Sequence, residues 1–221
     1  MRPWAVLFDL DGTLADTIPF LLRSMRHAFE LMPEKQPSDA QWVAGIGTPL
    51  RTQLRQFVPS EDDIDRLVKR YRAFQFEHHD ALTKPFPQAH AVVSRLRERG
   101  HPLAIVTSKG DELANRSLKH IGLAPFFDTV ITAENVARHK PDPLPVVTAL
   151  EKLGRPANEA VFIGDSTHDV HAGNGANVVS IAALWGPFTR AQLLPSRPTH
   201  FLERLDALPA LLERLGASRA A

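Results

Sequence analysis

Residues 7–16 read LFDLDGTLAD, and this stretch decides both the fold and the chemistry predicted for the chain. The preceding apolar run Trp4–Phe8 is typical of a buried strand. It ends in Asp9 and Asp11, which would point the same way, since side chains alternate along a strand. Gly12 then permits a sharp turn. Two like charges at a buried strand end are costly unless a cation or a shared proton compensates them. The pair therefore predicts a hard cation or acid–base chemistry, and a polar turn is the alternative.

The composition excludes several classes of function. A chain of 221 residues with 43% hydrophobic and 23% charged residues fits one globular domain, or a core domain with a smaller insert. A net charge of +1 gives no electrostatic reason to expect a nucleic-acid partner. The lack of cysteine excludes disulfides, thiolate catalysis and cysteine-ligated zinc. No apolar run is long enough for a signal peptide or a membrane span, so we expect a cytoplasmic protein without a membrane partner.

Short apolar runs recur along the chain and alternate with helical patterns. The runs lie at Trp4–Phe8, Leu103–Thr107, Thr129–Thr132, Ala160–Ile163, Val178–Ile181 and, more weakly, His200–Leu202. One helical pattern starts at Asp142 and Pro143, predicted as its N-cap and first residue, and ends at Gly154. This alternation predicts an α/β fold with a doubly wound parallel sheet.

Residues 17–84 contain no convincing strand and read as a separate helical block. The predicted helices are Ile18–Leu31, Ser38–Val43, Pro49–Phe57 and Glu61–Leu82. We therefore expect an α/β catalytic core domain of residues 1–16 and 85–221, interrupted by an α-helical cap domain of residues 17–84. Because the insert leaves beside Asp16 and returns at Lys84, it is placed to act as a lid.

Three further polar clusters follow strands of the predicted sheet. Thr107 and Ser108 offer hydroxyl and backbone N–H groups to phosphate oxygens, and Lys109 adds a nearby charge. Lys140 lies between a strand and a proline-initiated helix, as a positioned cation or a solvated lysine. The segment Gly164–Asp169 places two more carboxylates after a buried strand. Ligands of open α/β sheets bind at the carboxyl ends of the strands, where all the clusters fall.

The combined residue types favour phosphoryl chemistry. Four carboxylates, those of Asp9, Asp11, Asp165 and Asp169, provide oxygen ligands without histidine or cysteine, which favours Mg²⁺ over zinc. An aspartate that attacks phosphorus would form an aspartyl-phosphate and split hydrolysis into two steps. Mg²⁺, a lysine and hydroxyl donors would neutralise the transferring group.

The chain resembles the haloacid dehalogenase superfamily, in its phosphoglycolate phosphatase-like branch with a helical cap. The matching motifs are Asp9-Leu10-Asp11-Gly12-Thr13-Leu14, Thr107, Lys140-Pro141-Asp142-Pro143, and Gly164-Asp165 through Asp169. The resemblance implies that Asp9 is the nucleophile and a metal ligand. It also implies that Asp11 is the general acid–base and binds Mg²⁺ through its backbone carbonyl. Asp165 would ligate Mg²⁺, and Asp169 would order the metal site.

The same resemblance implies how substrate is held. Thr107 and the Ser108 backbone would bind the phosphoryl oxygens, and Lys140 would bridge the nucleophile and the phosphate. In the insert, the loop from Gly45 resembles the substrate-facing loop of phosphoglycolate phosphatases and of a related bacterial pyrophosphatase. Gly47 and Arg51 are therefore candidate substrate-binding residues, and a plain helix connection with a solvated arginine is the alternative.

Two positions depart from the family pattern. Asn177 follows Ala176 where related sequences often have glycine, and because Asn tolerates a left-handed helix end, we expect the geometry to persist. Gln88 replaces the glycine of a Pro-x-Pro-Gly turn, which leaves that turn uncertain.

The predicted function is a phosphoric monoester hydrolase that uses Mg²⁺ on a small phosphorylated metabolite, with phosphoglycolate as the favoured substrate. An inorganic pyrophosphatase of the same branch and a phosphomutase are the alternatives. A dehalogenase is disfavoured because such enzymes lack the second aspartate and need no metal. A non-enzymatic interaction protein would have no use for this density of charge. The sequence leaves the oligomeric state open.

Overall fold

The computed structural model describes residues 2–220, and its centre is a six-stranded parallel sheet with the strand order β5-β4-β1-β6-β7-β8. The strands are β1 (Ala5–Phe8), β4 (Leu103–Val106), β5 (Thr129–Ile131), β6 (Ala160–Gly164), β7 (Val179–Ala183) and β8 (His200–Leu202). Each strand lies at a predicted apolar run. The doubly wound parallel sheet expected from the sequence is therefore confirmed.

Helices cover both faces of the sheet because its central strand is apolar on both sides. In β1, Val6 and Phe8 pack into one hydrophobic cluster, whereas Ala5 and Leu7 pack into a second. The first cluster includes residues of α5 (Ala89–Glu98), α6 (Asp111–His120) and α10 (Leu208–Ala220). The second includes residues of α7 (Leu144–Leu153) and α8 (Thr167–Gly175). A short helix, α9 (Arg190–Leu193), packs beside α8 and β7.

The helical insert, residues 17–84, has a hydrophobic cluster of its own. Its helices are α1 (Ile18–Phe29), α2 (Asp39–Ala44), α3 (Leu50–Leu54) and α4 (Glu61–Leu82). Trp42 lies at the centre of the cluster, with ring centroids 6.3 Å from Phe29 and 5.8 Å from Tyr71. The two connections to the rest of the chain form an antiparallel pair, β2 (Ala15–Asp16) with β3 (Lys84–Pro85). The insert thus leaves and rejoins the core at one place.

Local geometry corrects one predicted helix start and resolves the two departures. Helix α7 begins one residue later than predicted: Pro143 is the N-cap, and Asp142 Oδ1 accepts a hydrogen bond from Leu144 N at 2.9 Å. Proline fits an N-cap because it has no N–H to satisfy there. Asn177 takes the expected left-handed conformation, with φ +58°. Gln88 also adopts one, with φ +66°, so the turn forms without glycine.

No helix in the described part of the chain is both long and apolar enough to cross a membrane. The cytoplasmic location stays a prediction.

Candidate active site

A buried ammonium group lies at the centre of the sheet's carboxyl edge. Lys140 Nζ donates to Asp9 Oδ1 at 2.8 Å, to Asp169 Oδ1 at 2.6 Å and to the Val106 carbonyl at 3.2 Å. Burial by itself would lower the pKa of Lys140, but the carboxylates of Asp169 and Asp9 outweigh it and raise that pKa above its ordinary value. Lys140 is therefore a fixed cation rather than the solvated lysine of the alternative.

Asp169 is aimed into the site by the start of α8. Its Oδ2 accepts hydrogen bonds from Ser166 N at 3.0 Å and Ser166 Oγ at 2.5 Å, and its own N–H donates to Ser166 Oγ at 3.3 Å. This reciprocal capping box satisfies orphan donors at the helix N-terminus. Because Oδ2 is occupied by the hydrogen bonds from Ser166, Oδ1 is the oxygen that faces Lys140.

Asp165 has one hydrogen-bonded oxygen and one buried oxygen without a partner. Thr13 Oγ1 donates to Asp165 Oδ1 at 2.8 Å. Asp165 Oδ2 makes no hydrogen bond within residues 2–220. Gly12, at φ +85°, approaches so closely that a β-carbon there would lie 2.4 Å from Oδ2. Glycine is thus required both by its backbone conformation and by this contact.

Three buried carboxylates form a group that could hold a metal ion. One oxygen from each of Asp9, Asp165 and Asp169 lies within 4.8 Å of the others. Lys140 neutralises one of the three charges, so two formal negative charges remain among carboxylates that are at most 5% exposed. Burial, above all, raises the pKa of Asp9 to about 7, and burial also raises the pKa of Asp165 well above its ordinary value. A divalent cation with oxygen ligands would supply the missing charge and the missing partner of Asp165 Oδ2.

The second aspartate of the motif occupies a different environment. Asp11 Oδ1 accepts hydrogen bonds from Lys109 Nζ at 2.7 Å and from Thr17 Oγ1 at 2.6 Å. The sequence indicated Lys109 only as a nearby charge and gave no role to Thr17. The signal for Lys109 was its position directly after the Thr107-Ser108 pair. Thr17 had no signal in the sequence, because it belongs to the connection into the insert.

The strand end at Thr107 joins the core to the insert. Thr107 Oγ1 accepts a hydrogen bond from Lys109 N at 3.1 Å. Ser108 Oγ donates to the Gly47 carbonyl at 2.5 Å, so the hydroxyl of this predicted phosphate-binding residue contacts the insert loop. Gly47 has φ +104°, and a β-carbon there would lie 3.0 Å from Ser166 Oγ. The loop therefore lies directly against the core site.

A cavity of about 490 Å³ lies between the core site and the helical insert. Asp9, Asp11, Thr107 and Ser108 line it from the core, and the insert contributes Gly47, Thr48 and Pro49 from the loop before α3, together with residues of α3 and α4. All predicted site residues except Lys140, Asp165 and Asp169 line the cavity itself, and those three lie buried behind Asp9.

Arg51 reaches this cavity with its charge already neutralised. Its guanidinium pairs with Asp65 and, at 2.7 Å, with Glu61. The structure thus brings the predicted core residues together, and it places Arg51 in an ion-pair network of the insert itself.

A parallel sheet with helices on both faces and a buried acidic group at its carboxyl edge define an α/β protein with a candidate metal site. The chain belongs to the haloacid dehalogenase-like hydrolase family, whose family model matches residues 6–183. The resemblance stated from the sequence motifs is thereby confirmed.

Similar proteins extend over nearly the whole chain. A pyrophosphatase PpaX from Bacillus velezensis is 35% identical over 207 residues, which cover 94% of this chain and 95% of the relative. Another pyrophosphatase PpaX, from Anoxybacillus flavithermus, has the same identity and coverage. A solved structure from Lactobacillus plantarum, provisionally named a phosphoglycolate phosphatase, is 26% identical with a TM-score of 0.83, covering 96% of this chain and all of that one.

Proposed function

We propose that the protein is a Mg²⁺-dependent phosphatase that hydrolyses inorganic pyrophosphate through an aspartyl-phosphate on Asp9. The observation that carries the reaction class is the buried group of Asp9, Asp165 and Asp169 around Lys140, with an unpartnered oxygen on Asp165. The substrate is favoured by relatives named pyrophosphatase that match nearly the whole chain. The sequence analysis favoured phosphoglycolate as the substrate and gave pyrophosphate as an alternative. These relatives support the alternative.

In the first step, a carboxylate oxygen of Asp9 attacks phosphorus while the bond from phosphorus to the leaving oxygen breaks. Asp11 acts as the general acid: its Oδ1 is held by Lys109 and Thr17, and its other carboxyl oxygen delivers the proton to that leaving oxygen. In the second step, water attacks the aspartyl-phosphate, Asp11 takes a proton from the water, and phosphate leaves with Asp9 restored. Lys140, held 2.8 Å from Asp9 Oδ1, offsets the negative charge that gathers in both steps.

The metal role is assigned to the same side chains. Asp9 and Asp165, together with the Asp11 backbone carbonyl, would hold Mg²⁺, and Asp169 would order the site through its bonds to Lys140 and Ser166. Bound there, the ion supplies positive charge to the transferring phosphoryl group. The unpartnered Asp165 Oδ2 and the excess of negative charge support this assignment.

Residues 17–84 act, in this proposal, as a cap over the site, with residues 1–16 and 85–221 as the catalytic core. Support comes from the separate hydrophobic cluster of the insert and from its paired connections at Asp16 and Lys84. The Ser108–Gly47 hydrogen bond gives the cap a contact at the phosphate-binding strand end. A cap that closes would exclude bulk water during phosphoryl transfer.

The test is a substrate panel with purified protein and Mg²⁺: pyrophosphate, phosphoglycolate, p-nitrophenyl phosphate and glucose 1-phosphate. We expect the largest kcat/KM for pyrophosphate, and no activity in EDTA. A larger value for phosphoglycolate would restore the first choice from the sequence, and conversion of glucose 1-phosphate to its isomer would indicate a mutase. Full activity in EDTA would overturn the metal-dependent mechanism.

A further inference from the structure

Gln75 is a buried polar side chain on the insert side of the cavity that has no hydrogen-bond partner in the described part of the protein. Gln75, on α4, lines the cavity and is only 5% exposed. Its side-chain amide makes no hydrogen bond to any residue in the described range 2–220. Gln53 shows the usual arrangement in the same cavity: it is 4% exposed, and its Nε2 donates to the Trp42 carbonyl at 2.5 Å. Because this amide borders the cavity and has no partner among the described residues, its hydrogen-bonding groups are available to a ligand bound there.

The arginines on this side of the cavity differ in whether they form ion pairs. Arg51 and Arg55 both line the cavity, and both are paired with Glu61. Arg72 lines it as well and has no ion pair among the residues that the structure describes. Arg72 and Gln75 are three residues apart on α4, so they are neighbours on the helix surface.

Helix α4 is held in position by contacts on both sides of Gln75, so the backbone that carries Arg72 and Gln75 is fixed relative to the cavity. Tyr71, one turn before Gln75, is buried against Trp42 with ring centroids 5.8 Å apart. Further along the helix, Arg116 Nη1 of the core donates to the Phe76 carbonyl at 2.9 Å, and His79 Nε2 lies 2.8 Å from Ser117 Oγ. Helix α4 is thus tied to both the insert and the core on either side of Gln75.

We propose that Gln75 and Arg72 form the leaving-group site, which selects substrates whose leaving group carries an anionic oxygen of its own. The Gln75 amide donates hydrogen bonds to that oxygen, and Arg72 supplies charge at the cavity rim. The second phosphoryl group of pyrophosphate has this chemistry. The inference rests on the proposed phosphatase function, and it assigns selectivity to α4 instead of Arg51.

The experiment compares pyrophosphate with p-nitrophenyl phosphate, whose leaving group has no additional anionic oxygen. Gln75→Leu keeps the bulk and removes the hydrogen bonds, so kcat/KM for pyrophosphate should fall about 10- to 100-fold. The value for p-nitrophenyl phosphate should change less than about threefold. Arg72→Ala should lower the pyrophosphate value in the same selective way. Arg66→Ala is the matched control, because Arg66 lies on α4, pairs with Asp63 and does not line the cavity.

A binding measurement separates this inference from the proposed reaction. In an Asp9→Asn background, which blocks turnover, calorimetric titration with pyrophosphate should show about tenfold weaker binding when Gln75→Leu is added. Wild-type protein that hydrolyses none of the panel would overturn the proposed function, and this titration would still test Gln75. If Gln75→Leu lowers both substrates equally, or leaves pyrophosphate binding unchanged, the leaving-group site is wrong and the phosphatase assignment stands.

Discussion

The two sides of the cavity use their polar groups differently. On the core side, Asp9 is bonded to Lys140, and Asp11 is bonded to Lys109 and Thr17. On the insert side, Arg51 is neutralised within the insert, whereas the Gln75 amide has no partner in the described chain. The core side is organised by contacts that the protein makes with itself, which suits a reaction centre that must stay in place. On the insert side, Gln75 and Arg72 have no such contacts among the described residues, which suits the recognition of a substrate that binds and leaves.

The change with the largest expected effect removes the proposed nucleophile, Asp9. Asp9→Asn should lower turnover of every substrate by at least about four powers of ten, because no covalent intermediate can form. Assays with pyrophosphate and p-nitrophenyl phosphate measure the loss. Asp16→Asn, an exposed change of the same kind at the connection to the insert, should leave both rates near those of the wild type. An active Asp9→Asn enzyme would show that the core side is not the reaction centre.

The metal assignment predicts an effect on stability as well as on rate. Saturating Mg²⁺ should stabilise the wild-type protein by about 2–3 kcal/mol at a concentration 100 times its Kd. Asp165→Asn should lose most of this gain, because in the proposed site Asp165 would supply a charged ligand. Thermal unfolding with Mg²⁺ and with EDTA measures the difference. The prediction fails if the variant is stabilised as much as the wild type.

The buried carboxyls predict a specific pH dependence in the absence of metal. The folded-state pKa of Asp9, about 7, lies above the ordinary carboxyl value of the unfolded chain, so the folded protein holds the proton more tightly. The resulting stabilisation is complete below the unfolded-state pKa and is lost as pH rises towards about 7. In EDTA, the free energy of unfolding should fall by roughly 1 kcal/mol per pH unit between pH 5 and pH 7.

Denaturant titrations at a series of pH values test this slope. Saturating Mg²⁺ should flatten it, because the cation favours the ionised carboxylates. Asp9→Asn should make the slope in EDTA shallower. A free energy of unfolding that stays constant or rises over this range in EDTA would contradict the electrostatic description of the site.

The smallest effect is expected for a change on the insert side, the replacement of Arg51. Arg51→Ala breaks ion pairs with Glu61 and Asp65 that are exposed and screened by solvent, so it should leave the stability of the protein nearly unchanged. The ratio of kcat/KM for pyrophosphate to that for p-nitrophenyl phosphate should change less than about threefold. A selective loss of tenfold or more would return substrate recognition to Arg51 at the start of α3.

The core could be predicted from the sequence because its signals are local. Each apolar run gives a strand, and the rule that parallel strands present their carboxyl ends together brings Asp9, Lys140 and Asp165 to one edge. The roles of these residues stay predictions, although their proximity is now observed. The insert side was less predictable, because helical periodicity identifies apolar faces but does not say which polar residue meets the core. Gln75 gave no signal, and the pairing of Arg51 depends on how α3 lies against α4.

The paired connections at β2 and β3 make the insert an exchangeable module. Asp16 and Lys84 face each other across two antiparallel strands, so the chain returns to the point from which it departed. An insert of any length at this point leaves the order and the connections of the parallel strands unchanged. Thr17 marks the limit of the exchange, because its hydroxyl belongs to the Asp11 site. A transplant from another member of the family that starts at residue 18 and ends before Lys84 should keep the reaction centre and bring its own substrate preference.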